Sequence, residues 1–293
     1  MLGSAAGGGF PQWNCGCAQC RLVRQGDPRV RPATQASVAL TGDAESWLLI
    51  GASPDLRQQL AQTPALWPRT AGRDSPVKEI VLIGGDIDAI AGLLVLRERQ
   101  PFTLYAPAPL FDVLAGNDVF NVLDSELVRR VEVKPMEPVP CAGHLTLTLL
   151  PMPGKVPLYH EESGATELQP GPTYAAKVQV NGRTVIVAPA CAEITDSVLT
   201  QLRQADIVFF DGTLFTDDEM IVAGLGAKSG TRMGHVPISG PNGTLMRLAD
   251  LPARRILLHI NNTNPILRSD SPQRRQVEAA GFEVAFDGME IQL

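Results

Sequence analysis

Between Val81 and Leu94 a short apolar run rich in β-branched residues stops at Gly84-Gly85 and sets Asp86 and Asp88 one residue apart. It then resumes as an apolar, helix-compatible segment ending in Leu96-Arg97-Glu98. No other stretch constrains the fold as much, because this pattern describes a site at the carboxyl end of a strand. In an extended or tightly turned loop Asp86 and Asp88 point to one side, towards one cavity or one cation. The competing reading makes Asp88 the cap of the helix that follows and Asp86 a solvated residue. The rest of the chain has to decide between them.

Other stretches repeat the theme of an apolar strand that ends in polar groups. Asp206 to Phe215 reads as a buried strand that delivers Asp211 at its carboxyl end into a Gly-Thr turn, although turn chemistry accounts for the same residues. Arg254 to Pro265 is a strand with His259 at its tip, and the glycine-rich Lys228 to Asn242 holds Met233-Gly234-His235. Tyr174 to Val180 and Arg183 to Val187, joined by Asn181-Gly182, form the clearest hairpin. Further hairpins are expected around Thr41-Gly42-Asp43 and around Asp287-Gly288, the second spanning Glu283 to Ile291. Strands are read at Val77 to Ile83, Phe102 to Tyr105, Val131 to Val133 and His144 to Leu150. Helices are read at Ser53 to Leu60, with Ser53 as cap and Pro54 at the first position, near Pro109 to Leu114, at Asp196 to Gln204 and at Pro272 to Ala280. Met152 to Pro172, rich in Pro, Gly and Glu, is a loop. His144 and His160 carry no assigned role.

The strongest local chemical signal is Asn14-Cys15-Gly16-Cys17-Ala18-Gln19-Cys20. Three of the five cysteines crowd into this loop, an arrangement that serves a metal better than a disulfide framework in a chain of 293 residues. A C-x-C-x-x-C loop can fold three thiolates around one tetrahedral ion, and sulfur ligands select zinc over magnesium or calcium. The expectation is a structural zinc at Cys15, Cys17 and Cys20, with a fourth ligand that the spacing does not reveal. The small-residue opening before it, with its three-glycine run, reads as a loop lining the site. It lacks the preceding strand and the G-x-G-x-x-G of a dinucleotide fingerprint.

The formal net charge of −6 makes nucleic acid and anionic membrane surfaces poor partners. No apolar run approaches the roughly 20 residues needed to span a bilayer, and the amino terminus lacks a basic region followed by an apolar segment. A cytoplasmic location without membrane insertion is expected.

Taken together, Leu2 to Cys20, Asp211 to Met220 (DGTLFTDDEM), Met233 to His235 and His259 to Leu267 (HINNTNPIL) resemble the metallo-β-lactamase superfamily. Within it they closely resemble the PqqB family of pyrroloquinoline quinone biosynthesis. The resemblance implies an α/β fold, a four-layer αβ/βα sandwich formed by one domain over residues 1–293, with the site where the two sheets end. The superfamily's H-x-H-x-D-H loop falls on Gly84 to Ala89, where only Asp88 matches and Ala89 replaces the last histidine. Its later bridging aspartate falls near Ala188 to Cys191, where no acid stands. His259 matches the last ligand, His235 a histidine that assists the leaving group in related nucleases, and Asp211 the acidic partner of that histidine. A dizinc hydrolase is therefore not expected.

The PqqB family is associated with iron- and oxygen-dependent hydroxylation of the tyrosine ring of a Glu-Tyr-derived precursor. Carriage of the quinone or its precursor towards the periplasm is the alternative. By resemblance the catalytic set is Asp88, His259, His235 and Asp211, with Asp86, Asp88 and His259 as ligands for iron(II). The partner is pyrroloquinoline quinone (PQQ) or its precursor. Because the quinone is a tricarboxylate, Arg57, Lys228 and Asn261 are the candidate cofactor-binding residues, with Arg232 and Arg97 as further cations. For the cysteine loop, related phosphodiesterases place a histidine at the position of Asn262, so another ligand, such as Asp287 or a water, is expected here. A homodimer fits the fold class.

Overall fold

The structure, a computed structural model, describes residues 1–163 and 165–293. The first half of the chain supplies a five-stranded sheet of β1 (Val38–Leu40), β2 (Trp47–Ile50), β3 (Val77–Val81), β4 (Phe102–Ala106) and β5 (Val128–Glu132), in that spatial order. Only β1 and β2 are antiparallel; the other neighbours run parallel. The second half supplies a seven-stranded sheet of β6 (Val139–Cys141), β7 (Leu145–Met152), β8 (Thr173–Val180), β9 (Arg183–Ala188), β10 (Ile207–Asp211), β11 (Arg254–Leu258) and β12 (Phe282–Val284). Its first four strands are antiparallel and its last four parallel.

Continuous apolar runs become inner strands because both of their faces are covered. Along β10, Ile207 and Phe209 enter the core between the sheets, while Val208 and Phe210 enter a second core on the opposite face. In β11, Ile256 and Leu258 point one way and Leu257 the other. The second core is closed by Val198 and Leu202 of helix Asp196–Leu202, Leu245 of Thr244–Arg247 and Val277 of Pro272–Ala279. On the first sheet, Leu56, Leu110 and Leu114 come from helices Leu56–Gln62 and Ala108–Ala115. The result is the expected αβ/βα order of layers. Glu79 of β3, buried at their junction, accepts hydrogen bonds from Tyr105 Oη of β4 (2.9 Å) and from the Ala142 amide just after β6 (2.8 Å).

Some local expectations change. The helix read from Ser53 starts at Leu56, because Ser53 Oγ donates to Gln59 Oε1 and Asp55 accepts from the Gln35 amide and side chain. No hairpin forms at Asp287-Gly288. There β12, among the described residues, pairs only with β11, in parallel, and Asp287 accepts four hydrogen bonds of 2.7–3.0 Å from the amides and hydroxyls of Ser4 and Thr34. The amino-terminal segment that these bonds anchor joins the two sheets. Leu2 N donates to Ser37 O next to β1, and Ala6 N donates to Ile260 O beyond β11 (2.9 Å each).

Candidate functional site

Parallel strands deliver their carboxyl ends to one edge, and here that edge is the mouth of the cleft between the sheets. The β10–β11 register sets Asp211 beside Leu258, so the turns that follow place Thr213 next to His259. After β3 the chain runs through Gly84-Gly85 into a short helix, Ile87–Ile90, and then a 3-10 segment, Ala91–Arg97. Gly92 lets this segment lie on the turn after β2, since a Cβ there would stand 2.1 Å from Ser53 O. The cap position falls on Asp86, whose side chain makes no cap bond. Asp88, in the first turn, instead reaches the cleft, where its Oδ2 lies 2.9 Å from His259 Nε2. The reading of Asp88 as cap gives way to this geometry, while Asp86 keeps a side chain that is 40% exposed.

Thr213 holds the histidines in register. Its hydroxyl donates to Asp211 Oδ1 (2.7 Å) and stands 2.9 Å from His259 Nδ1 and 3.0 Å from His235 Nδ1. Asp211, fully buried, accepts from His235 Nδ1 at 2.8 Å and from the Cys191 amide at 3.0 Å. With Nδ1 of each ring serving as donor, Nε2 of His259 is left to face Asp88, and Nε2 of His235 has no hydrogen-bond partner among the described residues. The rings stack with centroids 5.1 Å apart. Burial works against charge on this pair, but the hydrogen bond and attraction between Asp88 and His259 outweigh it. The Asp88 carboxyl is held below its ordinary value and the His259 imidazole above its own. His259 itself has φ +60°, a backbone conformation rare outside glycine, kept by Ile260 N bonding Ser4 O and Asn261 N bonding Thr213 O.

The cleft has a volume of about 310 Å³, within the small-molecule range, and joins apolar walls, among them Val38, Ile83, Tyr174 and Val187, to this polar edge. Asp86 lines it, but its Oδ1 accepts from Lys155 Nζ (3.4 Å) and from the Leu158 amide (3.0 Å), and among the described residues no hydrogen bond joins it to a histidine. Lys228 lines the cleft, paired with Glu161 Oε2 at 2.5 Å. Asn261 also lines it and donates to Thr263 Oγ1 and Met220 Sδ. Arg57 lies exposed on helix Leu56–Gln62, and Arg97 pairs with Glu98; neither lines the cleft. Ala6 and Gly7 of the opening loop do. Sequence reasoning missed Thr213, Lys155, Glu161 and Glu219. Burial lifts the Glu219 carboxyl to about 7, and through Thr263 it supports Asn261. Of these, the Gly-Thr turn directly after Asp211 was the one available signal.

Cys15, Cys17 and Cys20 bring their sulfurs within 4.8 Å of one another. Cys17 sits at the start of helix Ala18–Arg24, its sulfur accepting from the Cys20 amide, and Arg24 reaches back to the Gln12 and Cys15 carbonyls to hold the loop. Burial pushes the Cys20 thiol up to about 12. Burial also opposes ionisation of Cys17, yet hydrogen bonds from Cys20 lower that thiol below its ordinary value. Facing the three sulfurs is the Asn262 amide, whose Nδ2 is 3.1 Å from Cys15, 3.4 Å from Cys20 and 3.6 Å from Cys17. Asp287, expected as an alternative fourth ligand, is instead engaged by Ser4 and Thr34. The donor set therefore fits zinc. In the cleft Asp88 and His259 are metal-competent, and Asp211, His235 and His259 form a second close cluster, whereas Ala89 and Ala190 offer no donor.

Residues 46–260 match the model of a β-lactamase superfamily domain. The coenzyme PQQ synthesis protein B of Methylobacterium nodulans is 49% identical over 296 residues, covering all of this chain and 99% of that protein. The crystal structure of zinc-bound PqqB from Methylobacterium extorquens superposes with a TM-score of 0.96 at 44% identity, covering all of this chain and 98% of that one. A diphosphatase of the PhnP family shares the fold, with a TM-score of 0.69 at 20% identity over 100% of this chain and 96% of that one. On this sequence and fold similarity, the chain belongs to the PqqB family of coenzyme PQQ synthesis proteins, within the metallo-β-lactamase superfamily.

Proposed function

We propose that this chain works in pyrroloquinoline quinone biosynthesis by holding the Glu-Tyr-derived precursor in the cleft for iron- and oxygen-dependent hydroxylation of its tyrosine ring. The observation that carries the reading is the Asp88–His259 pair, kept at 2.9 Å on the wall of a small-molecule cleft although Ala89 has replaced the neighbouring histidine. We assign the ligand set to Asp88 and His259, with His235, whose Nε2 has no hydrogen-bond partner among the described residues, as the second of the two imidazoles that iron(II) of this class takes with one carboxylate. When bound, the iron supplies the activation of dioxygen. The chain's own residues do the rest. Asp211 and Thr213 fix the tautomer and direction of both imidazoles, Lys228 offers a cation to a precursor carboxylate, and the apolar walls exclude water from the aromatic ring. Asp86, held by Lys155, is left out of the ligand set.

Dioxygen uptake by iron-loaded protein with the tyrosine-containing precursor, read together with the mass of the product, tests the proposal. The natural chain is expected to turn over slowly. Ala89→His is expected to raise the affinity of the cleft for metal about 100-fold, as restoring a direct ligand does at least as much as restoring its outer partners, and to raise uptake with it. No uptake by either protein overturns the hydroxylation reading.

At the cysteine loop we propose a structural zinc whose fourth ligand is Asn262. A half-turn of the amide exchanges Nδ2 for Oδ1 and presents an oxygen to the ion. The carrier reading draws no support from the fold or from the relatives. No helix of the described residues is long and apolar enough to cross a membrane.

A further inference from the structure

We infer that Lys155, Lys228 and Arg232 form a carboxylate-binding subsite at the cleft, in which the chain's own Glu161 holds the place that a carboxylate of the bound molecule takes. The inference rests on the reading that the cleft receives a polycarboxylate, and it names where one of those carboxylates goes. Glu161 is 6% exposed and stands among three cations: Lys228 Nζ at 2.5 Å, Arg232 Nη2 at 3.1 Å and Lys155 Nζ at 3.4 Å. Among the described residues the only other acid on them is Asp86, 3.4 Å from Lys155 and 40% exposed, so three cations face two carboxylates. The excess of positive charge lies in a chain whose net charge is −6.

Burial makes that excess costly. Arg232 is 8% exposed, and its Nε and Nη1 have no hydrogen-bond partner among the described residues; neither has Glu161 Oε1. Desolvated donors left without an acceptor destabilise a folded chain, and an additional anion relieves them. The cluster also stands next to the candidate reaction centre. Lys155, Glu161 and Lys228 line the cleft together with His235 and His259. The stem of Lys155 lies against Gly234, where a Cβ would stand 3.2 Å from its Cγ, and Arg232 precedes His235 by a single short turn. A carboxylate entering the cleft therefore meets cations already gathered for one. It takes over the contacts of Glu161 with Lys155 and Lys228, the two cations of the cluster that line the cleft, while Glu161 returns to water.

Calorimetry on the 293-residue chain, loaded with zinc, tests this with two probes, trimesate, a tricarboxylate that is not a quinone, and pyrroloquinoline quinone itself. Lys228→Gln, at a side chain that is 38% exposed, is expected to weaken both about tenfold, the usual effect of losing one charge-assisted bond. Lys155→Met is expected to do the same. Glu161→Gln is expected to tighten trimesate about threefold or more, because the competing internal carboxylate loses its charge. A purely structural salt-bridge cluster would lower the melting temperature in Glu161→Gln with no gain in affinity, and that result overturns the stand-in role. Trimesate that fails to bind, or that binds Lys228→Gln and Lys155→Met as well as the natural chain, overturns the subsite. Trimesate held through Lys228 with the quinone refused upholds the subsite and removes the quinone reading. Quinone bound equally by the natural chain and by both lysine variants does the reverse.

Discussion

His259 and Asn262 stand on one turn after β11, yet they serve two different sites. The first turns its imidazole to Asp88 in the cleft, and the second turns its amide to the three cysteines. The cysteine site draws three donors from a single short loop and is closed by one distant residue. The cleft draws its groups from the ends of β3, β10 and β11 and from the turn at His235, and its lining residues Ala89 and Ala190 offer no donor. The difference lies in what holds each set in place. Crowded thiols have little except a metal to justify their proximity. Asp88, His259, His235 and Asp211 are tied by hydrogen bonds through Thr213 that form without one. A centre organised by its own hydrogen bonds can lose ligands and keep its shape; one organised by an ion cannot.

The largest effect expected from this contrast is at Cys17. Cys17→Ser is expected to strip the loop of the proposed zinc and to lower stability by about 3 kcal/mol, or roughly 10 °C in melting temperature. Asp88→Asn is expected to leave that zinc in place. Elemental analysis with a thermal scan reads both, and zinc retained by Cys17→Ser would break the comparison. A smaller change is expected at Asn262→Ala, where three thiolates still hold the ion. Zinc affinity measured against a competing chelator should fall about tenfold, as for loss of one neutral ligand. Unchanged affinity would assign the fourth position to something other than the amide.

The smallest effect concerns the pH response of metal-free protein. His259 has a raised folded pKa, so its contribution is complete below its ordinary 6.5 and is lost as pH rises through the raised value. Asp88 has a lowered one, so its contribution is present above its ordinary 3.8 and is lost as pH falls through the lowered value. Chemical denaturation across pH should therefore show a plateau between the two that declines at its alkaline and acid ends by about 1 kcal/mol. Asp88→Asn should flatten the alkaline decline. A variant that keeps the full decline would show that the pair is not what couples the cleft to protons.

How far each region could be read from the chain follows the same division. The cysteine loop is legible because its donors are neighbours in sequence and sulfur chemistry narrows the metal. Asp88, Asp211 and His259 are legible as polar groups at the ends of apolar strands, since β3, β10 and β11 announce themselves by composition. Thr213 hides because a threonine after a glycine is ordinary turn chemistry until two histidines from elsewhere converge on it. Lys155 and Glu161 hide in a proline-rich loop, and only the packing of that loop on Gly234 and Arg232 gives them a role. The absent hairpin at Asp287 has a similar cause, because a turn signal in sequence does not reveal that Ser4 and Thr34 claim its carboxylate. Local pattern fixes strands and turns; long-range partners decide which side chains act.

The distance between partners also sets an order of events during synthesis. Cys15, Cys17 and Cys20 are synthesised well before the amide that faces them, which lies 242 to 247 residues later. Asp287, which anchors the amino-terminal segment through Ser4 and Thr34, follows later still. Contacts of such separation form last. Until that amide is made, the three thiols stay open to oxidants and to competing metals, and the loop is closed only when the segment after β11 folds back over it.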